Sequence, residues 1–257
     1  MHSNTVQKIL ESMMINLLRL MITASFFVIH LAHAACINDT ELKQLNEQEI
    51  QYMLNRVPPA FSHAVQDQQI IYTHHVEDQQ NCIVTVIIHL PQAHITEAQT
   101  KLDSDPSKKI LLFAQGYSLP DKTEVMAKYS LDPHTLMANS NETLQSGELG
   151  KLRASIEMMY SLITEKRLNE LNKSITVQWS QHDLDKSINA CESSKNNKQY
   201  CECKVNFFAQ HLQPRDFENL QYSQSNPYAF ASVNNAFLSE LAQKNEFACK
   251  DFAKKLR

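Results

Sequence analysis

The stretch Ile70–Leu90, IIYTHHVEDQQNCIVTVIIHL, decides the expected fold. Two runs rich in β-branched and aromatic residues flank a polar turn over residues 77–81, a pattern typical of a β-hairpin. In the second run apolar side chains fall on both faces, because successive side chains of a strand point to opposite sides. The second run is therefore predicted to be a central strand with both of its faces covered.

Helical patterns surround this hairpin. A helix is predicted from a cap at Asn38 or Asp39 to about Arg56, where Pro58-Pro59 ends it. Another follows Gly147, and its apolar residues recur at alternating spacings of three and four, so they face the core. These residues are Leu149, Leu152, Ile156, Met159 and Ile163. Met158-Met159-Tyr160 in the same helix is interpreted as core and not as a cofactor site.

The middle of the chain carries weaker signals. Lys109–Ala114 is predicted to be a third strand, and the alternation of Ser174–Trp179 predicts a half-exposed strand. Between them, Gln115–Gly147 is a long polar stretch in which only short helical turns are expected, around Val125-Met126 and Leu136-Met137.

The C-terminal part reads as helical. Asp183 is predicted to cap a helix over Leu184–Cys191, and Pro214 suits the first turn of a short helix. A last helix is expected from Asn226-Pro227 towards Cys249. A further helix is expected between the one that ends at Cys191 and the one that starts at Pro214. Its apolar face is formed by Cys201, Val205, Phe208 and Leu212.

These patterns predict an α+β protein, with a small antiparallel sheet packed with helices and then a disulfide-stapled helical C-terminal module. The expected organisation is a signal peptide over residues 1–34, an α+β domain over 35–181 and a Cys-rich helical module over 182–257.

The segment Leu20–Ala32 is apolar but shorter than the about 20 residues that cross a bilayer. Lys8 and Arg19 precede it, and Ala32-His33-Ala34 places small residues where signal peptidase cleaves. We therefore expect export to a periplasm or the extracellular space, with cleavage before Ala35 or Cys36 and no stable membrane span afterwards.

Two further points concern the same region. Met13 and Met14 are alternative starts to Met1, because a signal peptide beginning there would have a more typical length. The rival to simple cleavage is an outer-membrane lipoprotein acylated on Cys36.

The chain has six cysteines, Cys36, Cys82, Cys191, Cys201, Cys203 and Cys249, all beyond the signal segment. An even set in an exported chain predicts a disulfide framework. Cys36 is predicted to pair with Cys82, and no free thiol is expected. In the C-terminal set Cys201 and Cys203 point about 200° apart on a helix, so each should pair with a different neighbour. Which of them pairs with Cys191 and which with Cys249 stays open.

Two other uses of these cysteines compete with disulfides. Cys191, Cys201 and Cys203 with His211 are a candidate metal site, because thiolates and imidazole bind zinc and copper. A redox role would need an exposed thiol of low pKa, usually in a C-x-x-C motif, and this chain has C-x-C instead. Neither is the leading interpretation, so no metal or cofactor is predicted.

Composition excludes several classes of function. The net charge of −4 becomes −5 after loss of residues 1–34, because two basic residues and one acidic residue leave. A mildly acidic chain without clustered Lys and Arg does not indicate a nucleic-acid partner. Only three glycines occur in 257 residues, and none lies in a phosphate loop, a dinucleotide turn or a nucleophile elbow.

The long stretch 115–147 is a candidate binding surface, because long loops without their own structure are uncommon unless they are functional. Its candidate side chains are Tyr117, Asp121, Tyr129 and His134. His74 and His75 are adjacent on a strand and must face opposite ways. These two, with His89 and His94, are expected mainly at the surface.

The leading interpretation is a non-enzymatic binding or accessory protein whose partner is another exported or envelope protein. One alternative is an exported hydrolase whose site combines the 115–147 segment with a histidine. The other is a metal-binding protein that uses the C-terminal cysteines.

Overall fold

The computed structural model describes residues 36–132, 134–138, 147–175, 177–193 and 197–253. Over these residues the chain forms nine helices and a four-stranded antiparallel sheet, which confirms the predicted α+β class. The elements in chain order are α1 (Asp39–Leu54), α2 (Pro59–Gln66), β1 (Ile71–Asp78), β2 (Ile83–His89), α3 (Gln92–Asp103), α4 (Pro106–Ala114), β3 (Glu124–Asp132), β4 (Met137–Ala138), α5 (Glu148–Glu170), α6 (Gln181–Ser193), α7 (Lys198–Ala209), α8 (Pro214–Ser225) and α9 (Ala236–Ala253).

The predicted hairpin is confirmed as β1 and β2. Strand β2 is central, since it pairs with β1 on one side and with β3 on the other, while β4 pairs with the end of β3. The register places His74 opposite Val86 and Val86 opposite Ala127, so these three side chains share one face of the sheet.

That face carries the core. Helix α1 packs on β1 and helix α5 packs on β3, and the five apolar positions predicted to face the core in α5 are all buried. The opposite face is more open, because the two helices cover only one side. Ile71 of β1 and Met126 of β3 on this side are 54% and 59% exposed. In β2 itself Thr85 is buried on this side, while Ile83 and Ile87 are half-buried, so the expected cover of its second face is partial.

The predicted strand over Lys109–Ala114 is wrong, because this segment is the C-terminal part of helix α4. The side chain of Asp105 accepts a hydrogen bond from the backbone N–H of Lys108, and Pro106 occupies the first turn. These are the start signals of a helix, and they prevail over the apolar run that follows.

The stretch 115–147 holds the missing strand. Strand β3 takes in the Val125-Met126 pair, and β4 takes in Met137, so the helical turns expected at both places are wrong. Ala127, Tyr129 and Leu131 alternate on the buried face of β3. Ala127, Lys128 and Ser130 are weak strand formers, so the residues of β3 have little strand preference of their own. Pairing with β2 stabilises this strand.

Two C-terminal expectations also need correction. The described residues of 174–179 form no strand, although Trp179 is buried and donates a 2.8 Å hydrogen bond to the Leu212 carbonyl oxygen. The last helix begins at Ala236 and not at Asn226-Pro227. Its cap is Asn235, which accepts from the backbone N–H of Leu238, whereas the Asn226 side chain donates back to the Tyr222 carbonyl oxygen at the end of α8.

The buried apolar residues form two clusters. The sheet cluster ends along the chain at Ile163, and the helical cluster begins at Leu168 and includes Trp179, Phe208 and Phe217. Helix α5 therefore contributes to both. The boundary predicted between residues 181 and 182 stays a prediction.

All six cysteines are paired. Cys36 is bonded to Cys82, as predicted, and Cys201 and Cys203 bond to different neighbours, Cys191 and Cys249. The first bond joins the segment before α1 to the start of β2. The other two join α7 to α6 and to α9, so one helix is held from two sides. Because the Cys36 sulfur is bonded to Cys82, it is not open to acylation, which counts against the lipoprotein alternative.

The predicted signal peptide and the alternative starts at Met13 and Met14 lie outside the described residues. Within the described ranges, no helix has the length and apolar character needed to cross a membrane.

The two C-terminal disulfides should differ in their contribution to stability. Cys203–Cys249 closes a separation of 46 residues and Cys191–Cys201 one of 10. A disulfide lowers the entropy of the unfolded chain, and it does so more when it closes a longer loop. Replacing both cysteines of a pair by alanine should therefore lower the free energy of unfolding by about 4 kcal/mol for Cys203–Cys249 and about 3 kcal/mol for Cys191–Cys201. Urea unfolding followed by Trp179 fluorescence reports on the helical cluster directly. A lower stability of the Cys191/Cys201 variant would contradict this ranking.

His74 should make stability depend on pH. It is 5% exposed, and burial, reinforced by the charges of Arg153 and His75, lowers its pKa from 6.5 to about 4. The folded state therefore keeps His74 neutral where the unfolded state takes up a proton. The stability that neutral His74 contributes is complete above pH 6.5. As the pH falls towards 4, this contribution to the free energy of unfolding, roughly 3 kcal/mol, is lost.

The measurement is urea unfolding of the wild type and of His74→Leu across this pH range. The wild type should lose more stability on acidification than the variant, whereas a control at an exposed histidine away from His74, His182→Leu, should follow the wild type. Parallel profiles for wild type and His74→Leu would refute the assignment.

Candidate functional site

A groove lies where the end of α1, helix α4 and the exposed side of α5 meet. Its cavity measures about 360 Å³, which is within the range of ligand pockets. Apolar walls come from Leu112 on α4 and from Ala154, Met158 and Leu162 on α5. Charged and hydroxyl-bearing side chains lie among them: Arg56, Lys108, Arg153, Glu157, Tyr52, Tyr117 and Ser161.

Arg153 is held by a buried ion pair. Its guanidinium binds the Glu49 carboxylate through two nitrogens, with Nε 2.9 Å from Oε1, and it lies 4.0 Å from the centre of the Tyr52 ring. Glu49 is only 5% exposed. Burial acts to lower the pKa of Arg153, but the bonds to Glu49 outweigh it and the pKa is raised. Arg153 therefore stays charged and is held by the Glu49 side chain.

Lys108 is held in a similar way. Its ammonium binds Oε1 of Glu165, a side chain with no exposed surface. Oε2 of Glu165 has no hydrogen-bond partner among the described residues. The pair joins α4 to α5 and fixes one wall of the groove.

Arg56 and Glu157 differ from these two pairs. In the part of the chain that the structure describes, no carboxylate lies within 4.0 Å of the Arg56 guanidinium, which is 5.3 Å from the Tyr52 ring centre. No described side chain donates a hydrogen bond to the Glu157 carboxyl group. Burial raises the pKa of Glu157, and the charge of Arg56 opposes that shift. As far as the described residues show, the groove thus presents a cation and a carboxyl group that have no ion-pair partner within 4.0 Å, although the charge of Arg56 acts on Glu157.

Helix α4 presents an unusual surface beside the groove. None of its nine residues is buried, and Ile110, Leu111 and Phe113 are 71%, 56% and 58% exposed. Single exposed apolar residues are ordinary, but three on one short helix form an apolar patch. Leu112 of the same helix faces the groove, so the patch continues the apolar wall outward.

The four predicted binding residues are dispersed. Tyr117 lines the groove, whereas Asp121 and His134 are exposed. Tyr129 is buried in β3 with its ring edge-on to that of His74, at 6.1 Å between centroids. Of the four, the structure brings only Tyr117 to this site.

The predicted histidines do not form an acid–base set. His74 and His75 face opposite ways, as predicted, but His74 is buried, so the expectation of a surface position is wrong for it. His89 lies 3.7 Å from Glu124 at the surface. His94 is half-buried, and its Nδ1 is 3.0 Å from the Tyr160 hydroxyl.

A second, polar pocket of about 500 Å³ lies between α2, α6 and α8. Glu218 accepts hydrogen bonds from Nε2 of His63 and from Nζ of Lys186, both at 2.7 Å. Burial acts to raise the pKa of Glu218, but these two donors lower it overall. The carboxylate therefore stays ionised and joins three helices, which is a structural role.

The four residues considered as metal ligands have other bonding partners in the structure. Cys191, Cys201 and Cys203 are in disulfides, and Nδ1 of His211 lies 3.0 Å from the Ser174 hydroxyl. Among the described residues no group of three His, Cys, Asp or Glu side chains is arranged to hold a metal ion.

Comparison of the chain with protein-family models, with curated proteins and with solved structures found no match. The function is therefore inferred from the chemistry of the groove.

The sequence did not point to most of this groove. Arg56 and Glu157 are ordinary polar residues until α1 and α5 are placed side by side. Met158 was expected in the core with Met159 and Tyr160, but only the latter two are fully buried, and Met158 lines the groove. The one available signal was the pair of small residues Gly150 and Ala154, one helical turn apart, which leaves room on the surface of α5.

Breaking the Glu49–Arg153 pair should destabilise the fold. Glu49→Gln leaves Arg153 buried without its counter-charge, so the free energy of unfolding should fall by about 3 to 5 kcal/mol. Glu170→Gln, which breaks the exposed pair with Lys166, should cost at most about 0.5 kcal/mol. Urea unfolding compares the two, and equal losses would show that the buried pair has no special role. The double variant Glu49→Met/Arg153→Met should recover much of the loss.

Proposed function

We propose that this chain is an exported, disulfide-stabilised binding protein of the periplasm or extracellular space. It acts without enzymatic chemistry and holds another exported or envelope protein in the groove between α1, α4 and α5.

Export is supported by the sulfur chemistry and by the N-terminal pattern. Six cysteines in three disulfides are compatible with an oxidising compartment. The signal pattern over residues 1–34 is of the kind that delivers a chain there.

The observation that supports the binding role is a surface that combines apolar side chains with two charged side chains that have no ion-pair partner among the described residues. Apolar side chains line the groove and continue onto the outer face of α4, while Arg56 and Glu157 face the groove without partners. Binding sites combine such apolar area with a few polar groups that fix orientation.

Neither alternative is favoured by a specific observation. A hydrolase in the 115–147 segment would need a histidine near a nucleophile. Among the described residues His134 is exposed and His89 lies at the surface 3.7 Å from Glu124, and no contact joins either ring to a hydroxyl group. Metal binding through the C-terminal cysteines would need thiolates, whereas these cysteines are oxidised in pairs.

Site-specific cross-linking tests the binding role. A photoreactive benzoylphenylalanine at position 112, in the groove, should form a defined cross-link to a partner in the cells that produce the protein. The same group in place of Phe247, an exposed residue of α9, should not. Adding Ala154→Trp, which fills the groove, should abolish the cross-link at position 112.

The matched control is Ala248→Trp, an equal increase in size at an exposed position of α9, which should leave the cross-link intact. Identical cross-links from positions 112 and 247, or a cross-link that survives Ala154→Trp, would contradict a groove-specific partner. Recovery of the protein in the cytosol with reduced thiols would contradict export.

A further inference from the structure

We infer that the groove recognises a peptide segment that carries an acidic side chain next to a large apolar one, with the acidic group paired to Arg56. This inference rests on the proposed function, and it names the chemistry of the partner segment.

The charges of the groove leave one cation available. Lys108 and Arg153 each contact a buried carboxylate, so a ligand would have to compete with Glu165 or Glu49 for them. Arg56 has no such competitor within 4.0 Å among the described residues, and the Tyr52 ring supports its guanidinium. A guanidinium is suited to a planar carboxylate, which it binds through two parallel hydrogen bonds.

Glu157 distinguishes a peptide from other anionic ligands. Its unpartnered carboxylate would repel a multiply charged phosphate, and a fatty-acid chain has no donor to offer it. A peptide supplies backbone N–H donors along its whole length, so it can satisfy Glu157 while one acidic side chain pairs with Arg56. An unpaired acceptor and an unpaired cation in one groove therefore favour a peptide.

The apolar walls account for the second requirement. Leu112 on α4 and the neighbouring Met158 and Leu162 on α5 line the cavity, so an apolar side chain placed there would bury surface against apolar walls from two helices. Methionine suits such a wall, because its flexible thioether adapts to side chains of different shape. The exposed face of α4 extends the contact for residues beyond the anchor.

Selection from a phage-displayed random heptapeptide library on the mature protein tests the inference. The enriched peptides should carry Asp or Glu next to, or one position from, a large apolar residue. The charge reversal Arg56→Glu should exchange this preference for Lys or Arg. Arg56 is exposed, so Arg56→Gln should unfold close to the temperature of the wild type. Arg56→Glu brings a second carboxylate near Glu157 and should unfold at a lower temperature, so a cooperative thermal transition is the check that this variant is folded.

Affinity measurements with one enriched peptide give the magnitude. Arg56→Gln should weaken binding about tenfold or more, since a hydrogen bond to a charged group is lost. Ala154→Trp should abolish binding and Ala248→Trp should leave it unchanged. Replacing the acidic residue of the peptide by its amide should weaken binding to the wild type but not to Arg56→Gln.

Other occupants are outcomes that would overturn the inference. Enriched peptides without acidic residues, the same peptides selected by Arg56→Glu, or an empty selection would reject the peptide chemistry. So would binding of phosphatidylglycerol vesicles that is lost in Ala154→Trp, or a homodimer that the same variant dissociates. If the cross-link at position 112 persists while the selection fails, the groove is a partner site with a different chemistry, and only the inference drawn here is wrong.

Discussion

Helix α5 packs against other elements on several of its sides, and this packing fixes where the neighbouring helices and strands lie. Its first turns pack on β3 and in the sheet cluster, whereas Leu168 near its end belongs to the helical cluster. Ile156, Met159 and Ile163 have no exposed surface, so the helix could not leave this position without exposing both clusters. A half-buried strip of the helix, with Ala154, Glu157 and Ser161, forms the floor of the groove.

Burial of α5 also determines which charges can bind a ligand. A buried charge must be paired, because removing an ion from water costs several kcal/mol. Arg153 and Glu165 on this helix therefore bind Glu49 and Lys108, and in doing so they hold α1 and α4 against it. Arg56 and Glu157 sit nearer to solvent and are under no such requirement. Among the described residues, these two side chains line the groove without an ion-pair partner within 4.0 Å.

Two of the three disulfides lie in the helical part of the chain, where the buried cluster is smaller. The sheet cluster contains most of the large, fully buried side chains, whereas the helical cluster is smaller and is built around Trp179, Phe208 and Phe217. Two disulfides flank α7 in that smaller unit, and each restricts the unfolded chain more than the folded one. Three disulfides are compatible with an oxidising compartment, in which such bonds persist.

By itself the sequence determined the elements whose signals are local. The hairpin, the apolar stripe of α5 and the separate partners of Cys201 and Cys203 follow from alternation, periodicity and helix geometry, which act over a few residues. The Cys36–Cys82 bond was predictable for a different reason, because the other four cysteines form a C-terminal set and leave these two for each other. Only the tertiary structure decided that residues 124–132 pair as a strand with β2, that His74 is buried, and that Arg56 and Glu157 share a groove. Those outcomes depend on contacts between residues far apart in the chain. The pattern of residues within one short segment does not specify which distant segment it will contact.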